Sequence, residues 1–345
     1  MKAAFLAKHG GNEVLTVGAL PDPVPGPGEL LVGIRAAALN RLDVFVRNGI
    51  PGVPVSFPHV PGADGCGVVE AVGAGVKGLS EGDRIVLQPG LSCGACEFCR
   101  DGETSLCVDY GILGEHRAGT LGEKVVVPAR NAWKAPAHLT DEEAAAFPLA
   151  AMTAWRMLVT RAALRPGESV LIHGIGGGVS VYALQIARLA GAGLVVATSG
   201  SEAKLEAALK MGADVALDYR SVDVGKKVRE LTGKRGVDVV VDSVGAATWR
   251  ASLTAAAKKG RIVTCGATSG PNPEEEIRII FWKQLSILGS TMGTDGEFRA
   301  LLDAVGRRLV KPVVDSVFPL DEVEKAYERI ESGAGFGKVV VRVAG

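Results

Sequence analysis

The 345-residue sequence has no surplus of charge, because 38 Lys and Arg balance 38 Asp and Glu. Holding nucleic acid or an anionic membrane through a protein's field requires a basic surplus, so those two roles drop out. No apolar run approaches the roughly 20 residues that cross a bilayer. The opening stretch Met1–His9 has too short an apolar run for a signal peptide. A cytoplasmic protein with no membrane partner is the expectation. Asn and Gln are scarce beside abundant Ala, Val, Gly, Arg and Glu, a balance met in heat-stable proteins.

What is present starts with length, enough for two domains that each bury a core. Residues 1 to 150 show short alternating strands, including Lys2–Ala7 and Leu30–Ala38, broken by the proline-rich loop Pro21–Glu29. Small and β-branched residues alternate from Pro58 to Gly73, as a bent barrel strand requires. From Asp141 the pattern becomes helical, with Thr140 as N-cap, an acidic first turn and a second helix over Thr153–Leu164. Strands and helices then alternate: helix Leu205–Met211, strands Val215–Asp218 and Val237–Asp242, helix Ala251–Lys259, strands Arg261–Cys265 and Leu285–Leu288. Such alternation predicts a parallel sheet. Helices Phe298–Val310 and Leu320–Ser332 follow, and a final strand, Lys338–Val343, can return to the first domain.

Four of the six cysteines cluster as Cys93, Cys96, Cys99 and Cys107, with spacing C-x2-C-x2-C-x7-C. A short loop can fold four such thiolates around one tetrahedral zinc; two disulfides or an iron–sulfur site are the other chemistries open to this spacing. A zinc with four thiolates has no open position for substrate, so it would staple a loop. Cys66 and Cys265 lie in apolar, glycine-rich strands and read as small buried residues.

The strongest ligand signal runs from Ser169 to Ser199: an apolar strand, the turn Gly174-Ile175-Gly176-Gly177-Gly178-Val179-Ser180, a helix and a second apolar strand. This is a βαβ unit whose glycine turn lets backbone N–H groups approach a pyrophosphate, with a helix N-terminus behind them. Ser180 stands where the last glycine of such a turn is usual, and a tight turn without a ligand is the alternative.

Together, the barrel-like first unit, the four-cysteine lobe, the dinucleotide turn and the return strand resemble the medium-chain dehydrogenase/reductase superfamily over essentially the whole chain. The resemblance implies an α/β protein: a GroES-like catalytic domain over residues 1–150 and 293–345, and a Rossmann doubly wound parallel-sheet cofactor domain over 151–292. The cysteine lobe matches the structural zinc site of the zinc-type alcohol dehydrogenases in residues and spacing. Their catalytic zinc site does not carry over. Asn40 and Leu42 stand at the first ligand and the relay hydroxyl, Gly62-Ala63-Asp64 replaces the Gly-His-Glu motif, and Phe147–Met152 holds no third ligand. Asn40 and Asp43 resemble instead the zinc-independent quinone oxidoreductases, with Phe45 where that branch often has Tyr. Asn40 reads equally as a cap of the following turn.

At the end of the second strand of the unit, where an NAD enzyme usually places Asp or Glu, stands Ser199, with Lys204 behind it. A 2′-phosphate fits there, and Tyr219 matches the tyrosine that quinone oxidoreductases set against it; a solvated Lys204 is the alternative. NADP(H) is therefore expected in preference to NAD(H). The resemblance places Gly174, Gly176, Gly177, Gly178 and Val179 on the cofactor, and Thr153, Gly266, Ala267 and Ser290 around the nicotinamide. It implies a homo-oligomer, dimer or tetramer, that transfers hydride to a small-molecule quinone, enone or carbonyl without a catalytic zinc. An alcohol dehydrogenase acting on a small alcohol or aldehyde, and a non-catalytic NADPH-binding protein, are the competing expectations.

Overall fold

The computed structural model describes residues 1–343. The chain divides into two compact units: one of Met1–Leu149, Thr294–Gly306 and Pro312–Gly345, the other of Ala150–Gly293 and Arg307–Lys311.

In the first unit, strand Glu29–Ala38 is the spine of a seven-stranded sheet. It pairs antiparallel with Asp64–Val72 and with Lys124–Pro128, and the sheet continues through Arg84–Leu87 to Ala132–Lys134. Lys338–Arg342 also pairs antiparallel with the spine strand, farther along the side that Lys124–Pro128 occupies, with Val340 opposite Ala38. The chain's last strand thus delivers Lys338 beside the end of the spine strand. Small residues let Asp64–Val72 lie close against the spine strand, since a Cβ on Gly67 would fall 2.1 Å from the Gly33 carbonyl oxygen. Leu30, Val32, Ile34, Ile85, Leu87 and Val127 fill the interior, and a second cluster around Leu6, Leu39, Val44 and Tyr327 packs the helices Arg41–Asn48 and Val323–Glu331.

Six strands form the sheet of the second unit, all pairs parallel, in the order Val215–Asp218, Leu194–Ser199, Ser169–Ile172, Val237–Asp242, Ala256–Thr264, Ser286–Gly289. This is a doubly wound sheet whose order reverses at Ser169–Ile172, the strand that precedes the glycine turn. The apolar runs of Ser169–Ile172, Leu194–Ser199 and Val237–Asp242 are continuous because both faces are covered, with Leu171, Val196, Val240, Ile262 and Leu253 in one core.

The expected helix Phe298–Val310 runs instead over Asp295–Gly306, and two other helical expectations change more. Ala251–Lys259 is split into helix Trp249–Ala255 and strand Ala256–Thr264. The alanines favour helix, but Ala256 pairs with Val237 and the strand bulges before Arg261 meets Val239, with Lys259 at φ 61°. Sheet pairing overrides propensity here. The Thr153–Leu164 helix starts earlier, at Pro148, and gives way after Trp155 to a π-helical turn over Arg156–Arg161. Proline suits a first helical position because the N–H it lacks would have no partner there. Among the described residues no helix is long and apolar enough to cross a membrane.

Candidate active site

The sulfurs of Cys93, Cys96, Cys99 and Cys107 all lie within 4.8 Å of one another, with Cys93 and Cys99 3.9 Å apart. A tetrahedron with Zn–S bonds of about 2.3 Å has edges of about 3.8 Å, so the residues fit that ion. No sulfur pair here is at bonding distance, and all six cysteines are free thiols. Backbone amides of Ala95 and Cys96 donate to Cys93 Sγ, and that of Cys93 donates to Cys107 Sγ at 3.1 Å. Those donors hold the Cys93 thiol below its usual range, and the amides of Val108 and Cys99 bring Cys96 to about 6. Burial pushes the Cys107 thiol up to about 11. Among the described residues this is the one group of three or more His, Cys, Asp or Glu side chains whose donor atoms converge.

Every strand of the parallel sheet ends on the edge that carries the second candidate site. Gly174 follows Ile172 with φ 63°, and Gly176 has φ 123°, a conformation that requires glycine. Gly177 caps the twelve-residue helix Gly178–Leu189, and Ser180 Oγ donates to the carbonyls of both Gly174 and Gly177 at 2.9 Å. Ser180 therefore braces the turn from within, which is what a serine in the last motif position can do. A Cβ on Gly177 would meet nothing nearer than 3.7 Å, so the backbone there is open to close approach. A Cβ on Gly176 would lie 3.1 Å from Lys204 Nζ, which puts the lysine's ammonium against the glycine turn.

Ser199 is buried at the end of its strand, its hydroxyl accepting from the Ser201 amide. Tyr219 follows the neighbouring strand, donates its amide to the Ser199 carbonyl and lays its phenol against Gly200. The structure thus brings Tyr219 to Ser199, and Lys204 to Gly176. Ser290 continues the edge strand by donating to the Thr264 carbonyl, and its buried hydroxyl has no partner. Gly266 and Ala267 follow the adjacent strand; a Cβ on Gly266 would meet nothing nearer than 3.5 Å. Thr153 is buried in helix Pro148–Trp155. An open glycine turn at a helix N-terminus and an orphaned hydroxyl at the sheet edge suit a dinucleotide. Sequence reasoning missed His173, which is fully enclosed behind the turn with Nε2 unpartnered, burial holding its pKa down.

In the other unit, Asn40, two residues past the spine strand, is extended and is the N-cap residue of helix Arg41–Asn48. Asp43 secures that start: its carboxylate accepts from the Asn40 amide at 2.6 Å and from the Gly62 amide at 3.0 Å. Burial raises the Asp43 pKa to about 6 against those two donors. The Asn40 side chain, 7% exposed, is engaged elsewhere. Its Nδ2 donates to Asp64 Oδ2 at 2.9 Å, and its Oδ1 accepts from Lys338 Nζ. Lys338 Nζ also lies 3.0 Å from Asp64 Oδ2, and Asp64 Oδ1 accepts from the Leu149 amide at 2.8 Å. Asp64 is wholly buried and Lys338 is 3% exposed. Lys338 was not anticipated, though a lysine opening the otherwise apolar run Lys338-Val339-Val340-Val341 is the one signal that marked it. His59 is buried too, bonded through Nε2 to the Gly114 carbonyl.

Comparison with known proteins accords with both halves. Residues 26–137 match the alcohol dehydrogenase GroES-like domain, and residues 178–307 match the zinc-binding dehydrogenase family. A zinc-type alcohol dehydrogenase-like protein of Schizosaccharomyces pombe is 36% identical over 92% of this chain and 91% of its own length. Human quinone oxidoreductase is 28% identical over 99% of this chain and 97% of its own. A solved NAD-dependent alcohol dehydrogenase superposes with a TM-score of 0.96 at 48% identity, each chain covered completely. The chain belongs to the zinc-binding dehydrogenases of the medium-chain dehydrogenase/reductase superfamily and is an NAD(P)-dependent oxidoreductase.

Proposed function

We propose that this oxidoreductase prefers NADPH and reduces a small quinone, enone or related carbonyl without a catalytic zinc. The observation that carries the reading is the cluster at Asn40. Where zinc-type relatives are expected to hold a metal ligand stands an amide, and its oxygen is taken by an ammonium of the protein itself. Neighbouring Ala63 and Leu149 have no donor atom in their side chains. Hydride addition to a conjugated carbonyl needs less Lewis-acid help than alcohol oxidation, so an oriented hydrogen-bond donor suffices.

A bound nicotinamide supplies the hydride from C4 of its ring. The chain's own residues hold and orient: the glycine turn takes the pyrophosphate, and Ser290 offers its free hydroxyl to the ring's polar group. Asn40 donates to the substrate oxygen as negative charge develops there. Ser199 leaves the end of its strand without a carboxylate, and Tyr219 and Lys204 supply a phenol and a cation on the same edge, which favours a 2′-phosphate.

The test is NADPH oxidation against a panel of quinones, enones and aldehydes, with NADH in parallel and zinc measured per chain. Turnover of a quinone or enone with one zinc is expected. Two zincs with turnover of simple alcohols would make it an alcohol dehydrogenase, and tight NADPH binding with no electrophile reduced would make it a binding protein. In the same assay Lys204→Ala should raise KM for NADPH about 10- to 100-fold, the equivalent of about 1.5–3 kcal/mol for a bond to a charged group, and leave NADH nearly unchanged. Equal effects on both cofactors, or a wild-type preference for NADH, would overturn the NADPH assignment.

We also infer a homo-oligomer. Ser286–Gly289 is an edge strand of the sheet with exposed residues, and just before it in the chain helix Ile277–Lys283 leaves Ile277, Phe281 and Trp282 to solvent, Trp282 at 76%. An unpaired edge can pair with its own copy about a two-fold axis and bury this apolar face. Sedimentation as a monomer at micromolar concentration would overturn this. Four free thiols poised for a metal support a reducing, cytoplasmic location, and formation of disulfides among them in the protein isolated from cells would count against it.

A further inference from the structure

We infer that Lys338 is a positioning residue of the substrate site: it holds the carbonyl end of the Asn40 amide while Asp64 holds one N–H, and so leaves the other N–H for a substrate oxygen. The inference rests on the reading of Asn40 given above.

The cluster has one self-consistent arrangement. Asp64 is fixed first, because the Leu149 amide takes Oδ1, the Thr120 hydroxyl takes its backbone carbonyl at 2.7 Å, and Oδ2 is left for Asn40 and Lys338. Lys338 is fixed by its strand. The Leu39 amide donates to the Val339 carbonyl at 2.9 Å, so the residues beside Asn40 and Lys338 are held by the backbone. The turn that delivers Lys338 requires glycine, since Gly337 has φ 108° and a Cβ there would lie 2.5 Å from the Val313 carbonyl oxygen.

Between these anchors the amide of Asn40 cannot be turned over. A flip would set its NH2 against the Lys338 ammonium and its oxygen against the Asp64 carboxylate, replacing two charge-assisted hydrogen bonds with two repulsions. An Asn side chain has two N–H donors. One goes to Asp64; the other has only the Ala38 carbonyl, at the long distance of 3.4 Å. A cation on the amide oxygen polarises the group and strengthens that remaining donor. Stability is a weak explanation for the arrangement, because a buried ion pair seldom outperforms apolar residues of the same size.

The experiment measures kcat, the KM values and the melting temperature on the best substrate for Lys338→Met, Asn40→Ala and the double variant. Lys338→Met should lower kcat on the order of 10- to 100-fold with KM for NADPH unchanged, a loss made in the transition state. In the Asn40→Ala background the same substitution should change kcat less than about 3-fold, because residues that act through one another are not additive. Fully additive losses would overturn the inference. Should Lys338→Met fail to fold, Lys338→Arg and Lys338→Gln decide: the arginine variant retains most of the turnover and the glutamine variant does not, whereas equal turnover in both overturns it. Full turnover in Asn40→Ala alone would instead remove the underlying reading of Asn40.

Discussion

Cys99→Ser is expected to release zinc and lower the melting temperature, while the protein that remains folded keeps its hydride-transfer rate. Cys99 Sγ stands 3.9 Å from Cys93 Sγ in a cluster of four sulfurs, so serine removes one corner of a tetrahedron. A closed shell of four thiolates offers no site for substrate, and the binding energy of the ion goes into ordering the chain around it. The lobe has little else to hold it: its helix Glu97–Arg100 buries no side chain, and its two strands, Gly90–Leu91 and Gly111–Ile112, are two residues each. Losing such a crosslink costs about 2–5 kcal/mol, as for a native disulfide in a small domain, which lowers the midpoint by on the order of 5–15 °C. Metal analysis, calorimetry and kcat per folded molecule read the three outcomes separately. Lost turnover with unchanged melting would show that the metal takes part in the chemistry.

Local chemistry was the legible part of this chain. Strand Val237–Asp242 lies where its apolar run places it, because a strand buried on both faces has no other pattern to show. The four cysteines could be matched by spacing alone, since their ligand atoms come from one short loop. The glycine turn was legible for the same reason, and even Ser180 has a local explanation in the two carbonyls it braces. Where tertiary pairing competes with propensity the sequence misleads: Ala256 and Ala257 favour helix, yet they enter the sheet because Val237 is there to pair with.

The cluster at Asn40 shows the other limit. Asn40, Asp64 and Lys338 come from three strand ends, Lys338 lying 298 residues from Asn40 and 274 from Asp64. Nothing in the local pattern ties them, and only the register of Lys338–Arg342 against Glu29–Ala38 brings them together. The two sequence readings of Asn40, turn cap and substrate donor, are also not exclusive in the folded chain. Its backbone starts the helix with Asp43, while its side chain is turned to Asp64 and Lys338.

That division makes Asn40→Ala informative, because the Asp43 half of the capping box at the helix start survives the loss of the side chain. Asp43 accepts from the Asn40 backbone amide, a bond alanine keeps. The substitution does orphan the Lys338 ammonium's contact with Oδ1 and one donor to Asp64, so stability should fall by about 1–3 kcal/mol. Turnover should fall further. If the amide steadies a substrate oxygen as charge develops, removing that donor lowers kcat on the order of 10²–10³-fold, the effect of deleting one oxyanion-hole donor. NADPH binding, measured by fluorescence titration, should stay within about 2-fold, since the glycine turn and Lys204 lie in the other unit. Asn40→Cys supplies a thiol but should leave zinc at one per chain, because Ala63 and Leu149 still offer no second or third ligand and a lone thiol does not hold the ion. Near-normal turnover in Asn40→Ala, with only the melting temperature reduced, would show that the residue is structural and that some other group steadies the oxygen.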